Sequence, residues 1–233
     1  MTIKYQIVSS TLENEILQGK FQANEKLPTE EELMRRFQVS RNTIRRALKI
    51  LVDQGYVYQV QGSGLFLREF SRPGCITIRK MQGLTKELAG ENMNSRIIEL
   101  SLVLADEKLA AKMKCELGDS LYYIKRLRFV NGDPLVLEEA YYNKALVPYL
   151  NAEIAESSIY RYITEDLRLK IGFADKLIYC EKLSKEDGLH LKLPEGDPVL
   201  IAENTVFLNT GIVFNVSMEK YNYASARLLA LTF

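Results

Sequence analysis

The chain has 233 residues and a mass of 26.7 kDa, room for one large domain or two modest ones with real cores, and two is the better reading. Apolar residues make up 47% and charged residues 26%, which excludes collagen-like, wholly disordered and small disulfide-stapled classes. With 31 basic against 30 acidic residues the net charge is +1, so nucleic-acid binding requires positive charge concentrated locally.

Residues 3 to 18 set Tyr5, Val8, Leu12 and Ile16 at three- and four-residue spacings before Gly19, the pattern of an amphipathic helix. Thr29 followed by Glu32 is in capping-box register and predicts a second, short helix that buries Leu33 and Phe37. Ser40 caps a third, in which Ile44, Ala47, Leu48, Leu51 and Val52 form one face and Gly55 ends the run. Tyr56 to Val60 and Leu65 to Arg68 flank Gln61-Gly62-Ser63-Gly64 and read as a β-hairpin.

Ser71-Arg72-Pro73-Gly74 breaks both periodic patterns, and the domain boundary is placed there: residues 1–70, a linker at 71–80, and a second domain over 81–233. In the second domain, residues 97–104, 121–130, 135–142, 171–180, 199–208 and 212–221 read as strands, with Asn131-Gly132-Asp133 and Asn209-Thr210-Gly211 turning two hairpins. Helices are predicted over 106–113, 157–166 and 184–190, giving an α+β domain with an antiparallel sheet and its helices on one side. No internal repeat at a fixed period and no low-complexity segment stands out.

Cys75, Cys115 and Cys180 are odd in number and form no C-x-x-C pair, so neither a disulfide framework nor a thiolate metal site is expected. The start of the chain lacks a charged-then-apolar leader and no window approaches eighteen apolar residues, which predicts a cytoplasmic protein. One histidine, His190, argues against Ser-His-Asp, Cys-His and multi-histidine zinc chemistry; no metal, cofactor or catalytic set is expected.

Between Leu33 and Val52 there is no acidic residue, while Arg35, Arg36, Arg41, Arg45, Arg46 and Lys49 fall inside that window. A helix carrying Ser40, Arg41, Asn42, Thr43 and Arg45 at its N-terminal end offers free amides to phosphate and Arg and Asn forks to base edges in a major groove. Gly62, Ser63 and Gly64 at the hairpin tip permit close approach to a sugar-phosphate backbone. A solvated helix face and a tight turn are the bland alternatives.

The run Leu27-Pro28-Thr29-Glu30, Phe37-Gln38-Val39-Ser40-Arg41-Asn42-Thr43-Ile44-Arg45-Arg46-Ala47-Leu48 and Gly62-Ser63-Gly64 resembles the winged helix-turn-helix of GntR-family transcription regulators. Members usually carry Ser-Glu-Arg where this chain has Thr29-Glu30-Glu31, and a basic residue where it has Gln61, which implies a shifted operator preference or weaker phosphate contact rather than loss of binding.

On the 121–130 strand, alternation puts Tyr122, Ile124, Arg126 and Arg128 on one face, and two adjacent forks can grip phosphate or carboxylate; a solvent-facing strand is the alternative. Glu138 and Glu139 point to opposite faces, so one joins the arginines. Ser157-Ser158-Ile159-Tyr160 opens a helix whose amides and hydroxyls complete an anion site or merely cap it.

The ordered set Gly83-Leu84-Thr85, Arg126-x-Arg128, Asn131-Gly132-x-Pro134, Glu138, Ser157-Ser158-Ile159-Tyr160 and Tyr221 resembles the UTRA effector domain of the HutC branch of that family, with a fold similar to chorismate lyase. The resemblance implies a homodimeric, ligand-responsive regulator, a repressor of sugar utilisation acting on double-stranded operator DNA. It also implies a small anionic effector, often a sugar phosphate, held by Arg126, Arg128, Ser158 and Tyr160 with help from Thr85, Lys86 and Glu87. Glu138, Asn215 and Tyr221 would meet the ligand's polar body. The rivals are a lyase or isomerase using the arginine face, with His190 expected to be solvated, and a constitutive DNA-binding protein whose second domain only dimerises.

Overall fold

The computed structural model describes residues 4–69, 75–77, 84, 88 and 91–230. It divides into two compact units, Met1–Pro73 with Leu229–Phe233, and Gly74–Leu228. None of the helices over the described residues is long and apolar enough to cross a membrane.

In the first unit α1 (Lys4–Leu17), α2 (Glu30–Phe37) and α3 (Arg41–Asp53) precede a hairpin of β1 (Val57–Val60) and β2 (Gly64–Leu67). The Thr29 capping box is formed: its hydroxyl accepts from the Glu32 amide, and the Glu32 carboxylate accepts from the Thr29 amide at 2.7 Å. Gln38 in the left-handed conformation ends α2, and Ser40 restarts the chain as the cap of α3. Leu12, Ile16, Leu33, Ile44 and Leu51 are fully buried in one core.

The second unit begins with β3 (Ile76–Thr77), whose Ile76 amide donates to the Arg227 carbonyl. It is built on six antiparallel strands: β4 (Met93–Leu104), β5 (Ser120–Val130), β6 (Asp133–Asn143), β7 (Ile171–Lys182), β8 (Pro198–Leu208) and β9 (Val213–Tyr221), in the order β4-β5-β6-β9-β8-β7. Every strand expected from the sequence is present, and β4 starts four residues earlier than predicted. The helices are not confined to one side. On one face a five-residue helix α5 (Ala152–Glu156), one turn α6 (Ile159–Arg161) and a π turn (Tyr162–Asp166) cover Ile124, Ala140, Tyr142 and Phe214. On the other, α4 (Glu107–Met113) and α7 (Lys185–Leu191) cover Leu121 and Val216, and Leu127 and Leu137, respectively. A sheet with apolar residues on both faces needs both covered, and β5 is buried at Leu121, Leu127 and Ile124 alike.

The geometry also reveals a repeat that the sequence reading missed. Residues 105–131 correspond to 183–209 at a constant offset, which grows by one residue after the longer second hairpin, so that Tyr142-Asn143 matches Tyr221-Asn222. Asp106 and Ser184 cap α4 and α7; Lys114 and Lys192 end them with φ of 51° and 55°; Gly118 and Gly196 both have φ of 84°. Ala105 donates to Asp119 and accepts from Gly118, as Leu183 does with Asp197 and Gly196. Glu139 and Met218 are equivalents and also direct partners across β6 and β9, so a pseudo-two-fold axis passes between them.

Candidate functional site

On α3, the apolar face at Ile44, Ala47, Leu48 and Leu51 is buried, while Arg41, Asn42, Arg45, Arg46 and Lys49 are exposed, the separation expected from the 3.6-residue period. Ser40 and Thr43 share their hydroxyls at 2.9 Å in the cap. Between α3, the start of α2 and the hairpin lies a groove of about 620 Å³ lined by Lys26, Glu30, Arg45, Lys49, Ser63 and Gly64 among others. Gly62 and Gly64 have φ of 77° and 122°, and a Cβ on Gly64 would lie 2.9 Å from Lys26 Cε. Lys26 therefore lies against the hairpin tip, a contribution that its place in a loop gave the sequence no means to show.

Arg35 is exposed at the end of α2. Arg36 is also exposed, but it is engaged within the unit: it donates through both terminal nitrogens to Glu15 of α1, and its guanidinium lies over the Phe37 ring at 4.8 Å. That pair, with Lys20 nearby, holds the Glu15 carboxyl down at about 2. Arg46 turns toward the Tyr5 ring at 6.0 Å.

In the second unit the expected arginines do share a face, and it is interior. Arg126 and Arg128 are 3% and 4% exposed, which removes the solvent-facing alternative. Glu138, directly opposite Arg126 in register, accepts from Arg126 Nε at 2.8 Å and from its Nη2 at 3.0 Å. The third Arg126 nitrogen donates to the Ala155 carbonyl of α5 at 2.6 Å. Arg128 Nη1 is 4.0 Å from Glu138, and its Nη2 donates to the Met93 sulfur at 3.1 Å.

Burial opposes charge on all three groups, and the pairing decides the outcome. Desolvation pulls Arg126 down but Glu138 outweighs it, so its pKa ends above the ordinary value; desolvation pushes Glu138 up but Arg126 brings it below the carboxylate value. Arg128, desolvated and facing the Arg126 charge, is pushed down to about 10. The trio carries two positive charges against one negative.

Around this trio lie groups the sequence did not single out. The Tyr142 hydroxyl is buried with no hydrogen-bond partner among the described residues, its pKa pushed up by burial and by the Glu138 charge. Glu219, opposite Glu138 on β9, accepts from Tyr221 at 2.6 Å and lies 3.8 Å from Lys176. Glu219 is linked to Glu138 by strand register, through the pairing of two strands far apart in sequence. Tyr160 is half-buried, edge-on to Phe214 at 6.4 Å, and its hydroxyl is pushed up by burial and by Tyr142 and Glu219. Ser158 caps α6, accepting from the Arg161 amide at 3.3 Å. Asn215, opposite Tyr142 in register, is buried and donates through Nδ2 to the Tyr141 and Val216 carbonyls. Thr85, Lys86 and Glu87 lie outside the described residues. His190 is half-buried in the last turn of α7.

Both units match known protein families. Residues 4–67 match the bacterial regulatory proteins of the gntR family, and residues 88–226 match the UTRA domain. The HTH-type transcriptional regulator YydK of Bacillus subtilis is 38% identical over 227 residues, 97% of this chain and 96% of its own. Its crystal structure superposes with a TM-score of 0.81 at 36% identity, covering both chains completely. The mannosyl-D-glycerate transport/metabolism system repressor MngR of Escherichia coli is 27% identical, over 94% of this chain and 91% of that one. The effector-binding domain of the B. subtilis trehalose repressor TreR has a TM-score of 0.55 at 27% identity, covering 60% of this chain and 97% of that domain. A winged helix-turn-helix followed by a UTRA domain, shared over nearly the whole length with a transcription regulator 38% identical, means that this chain belongs to the GntR family of bacterial transcription regulators.

Proposed function

We propose that the protein is a cytoplasmic, homodimeric repressor of sugar-utilisation genes that binds a near-palindromic operator and is modulated by a small anionic metabolite, a phosphorylated sugar. The observation that carries the ligand class is the buried trio of Arg126, Arg128 and Glu138, whose excess of positive charge suits an anion. Tyr142 and Glu219 beside it offer a donor and an acceptor for the hydroxyls of a sugar. The names of MngR and TreR, which concern sugar compounds, support the same class. On the DNA side, Arg41 and Arg45 read base edges while Ser63 and the hairpin glycines meet the backbone.

The effector acts through differential affinity for DNA-competent and DNA-incompetent arrangements of the dimer. The test is an anisotropy titration against DNA upstream of the protein's own gene, repeated with sugar phosphates, their unphosphorylated parents and unrelated carboxylates. Release by one phosphorylated sugar supports the reading; specific binding indifferent to every compound sinks the ligand class. Arg41→Ala and Arg45→Ala each weaken specific binding by about 1–3 kcal/mol, and unchanged affinity in both overturns the placement of α3 in the groove.

A further inference from the structure

Three consecutive glutamates open α2, and each has a different task. Glu32 closes the capping box with Thr29. Glu30 and Glu31 reach across to α3 instead. Arg45 Nε donates to Glu30 at 2.8 Å, Arg41 Nε lies 3.6 Å from the same carboxylate, and Arg41 Nη2 donates to Glu31 at 3.3 Å. Arg41, Arg45 and Lys49 form one row along α3 at four-residue spacing, and Lys49 is in turn bound to Asp53 at 3.1 Å. The whole cationic row is thus neutralised from within the unit, and all of it is at the surface: the Arg41 and Arg45 side chains are 51% and 63% exposed.

We propose that Glu30 and Glu31 are specificity-determining residues that act as an internal competitor for DNA phosphate, holding Arg41 and Arg45 until an operator displaces them. The inference rests on the DNA-binding reading of α3. Exposed pairs of this kind are weak, so DNA can break them. Their carboxylates oppose a non-specific complex more than an operator complex, because in the first Arg41 and Arg45 must lie on phosphates, whose charge repels the adjacent glutamates, while in the second the guanidinium groups turn away to base edges. A cognate site repays the exchange with bidentate hydrogen bonds to bases, which a random sequence does not supply. The consequence is a lower affinity for bulk DNA at little cost to the operator, and a fixed starting orientation for both guanidinium groups.

The experiment uses the full chain and two duplexes, a random 30-base-pair sequence and the DNA upstream of its own gene, with Glu31→Gln and Glu30→Gln each made alone and in an Arg41→Ala background. Glu31→Gln is expected to tighten binding to the random duplex by about three- to tenfold, to steepen the dependence of log K on log salt by about one unit, and to lower the ratio of specific to non-specific affinity. The gain from Glu31→Gln disappears when Arg41 is Ala, since Glu31 acts through that guanidinium. An unchanged affinity for the random duplex overturns the proposal, as does a gain of equal size in the Arg41→Ala background, which would assign the effect to charge alone. A wild-type protein that binds neither duplex overturns the DNA-binding reading itself, and this inference with it.

Discussion

The two halves of the second unit's sheet are the same motif used twice, and they differ most at one pair of positions. Arg126 and Glu138 of the first half correspond to Asn204 and Ser217 of the second, and both pairs are direct cross-strand partners buried on the same face. Asn204 Nδ2 donates to Ser217 Oγ at 3.1 Å where Arg126 makes two charged hydrogen bonds to Glu138. Arg128 corresponds to Val206. The fold therefore requires only a mutually satisfied polar pair at this place, because the second half stands on a neutral one. The charge of the first half is surplus to folding, and buried charge is costly to keep. Its presence on only one side of the pseudo-two-fold axis is the asymmetry on which the proposed anion site rests.

The largest expected effect comes from breaking the charged pair on one side only. Glu138→Ala leaves Arg126 and Arg128 buried without their carboxylate and should cost about 3–5 kcal/mol by denaturant unfolding. A loss below about 1 kcal/mol would mean that water already reaches the arginines, and the contrast between the halves would dissolve. Copying the second half onto the first is the sharper experiment. The triple variant Arg126→Asn, Arg128→Val and Glu138→Ser should stay folded within about 2 kcal/mol of the parent, since replacing a buried ion cluster by well-fitting neutral groups is often nearly neutral. It should also lose every response of DNA affinity to an anionic effector. A triple variant that unfolds shows the charges to be structural; one that still responds places the ligand elsewhere.

The same comparison has a pH signature. The Glu138 pKa is lowered in the folded protein, so its contribution is complete above the ordinary carboxylate value of 4.5 and is lost as pH falls below it. Below pH 4.5 the parent should lose stability faster than the triple variant, whose neutral pair has nothing to protonate there. Melting temperatures for both between pH 6 and 3 measure this, and parallel curves would remove Glu138 as the cause.

The sequence conveyed the elements well because their signals are local. The capping box at Thr29 and Glu32, the helices over 106–113 and 184–190, and the Asn131-Gly132 turn each depend on residues within a few positions. The face of β5 that carries Arg126 and Arg128 followed from alternation alone, but its burial did not, because that is decided by α5 and α6 packing over it. Arg36 looked like its basic neighbours until the fold brought Glu15 against it from α1. Tyr142 shares the Glu138 face of β6, but its burial beside the arginines was not visible in the sequence; Glu219 reaches the cluster only through the pairing of β6 with β9; and the repeat was hidden because apolar type is shared between the halves while residue identity is not, as at Leu121 and Val199 or Tyr122 and Leu200.

The smallest effect tests whether the halves are equivalent where no function separates them. Lys114 and Lys192 both end a seven-residue helix in the left-handed conformation, and each donates its amide to the carbonyl four residues back, at Ala110 and Gly188. That conformation costs a residue with a Cβ about 1 kcal/mol, which glycine escapes. Glycine also gives the unfolded chain more freedom, which takes back about 0.4–1 kcal/mol. Lys114→Gly and Lys192→Gly should therefore each change stability by only a few tenths of a kcal/mol, and by the same amount. Unequal effects in denaturant unfolding would show that the two caps carry different loads, so that the asymmetry of the sheet extends beyond the charged pair into the helices that cover its other face.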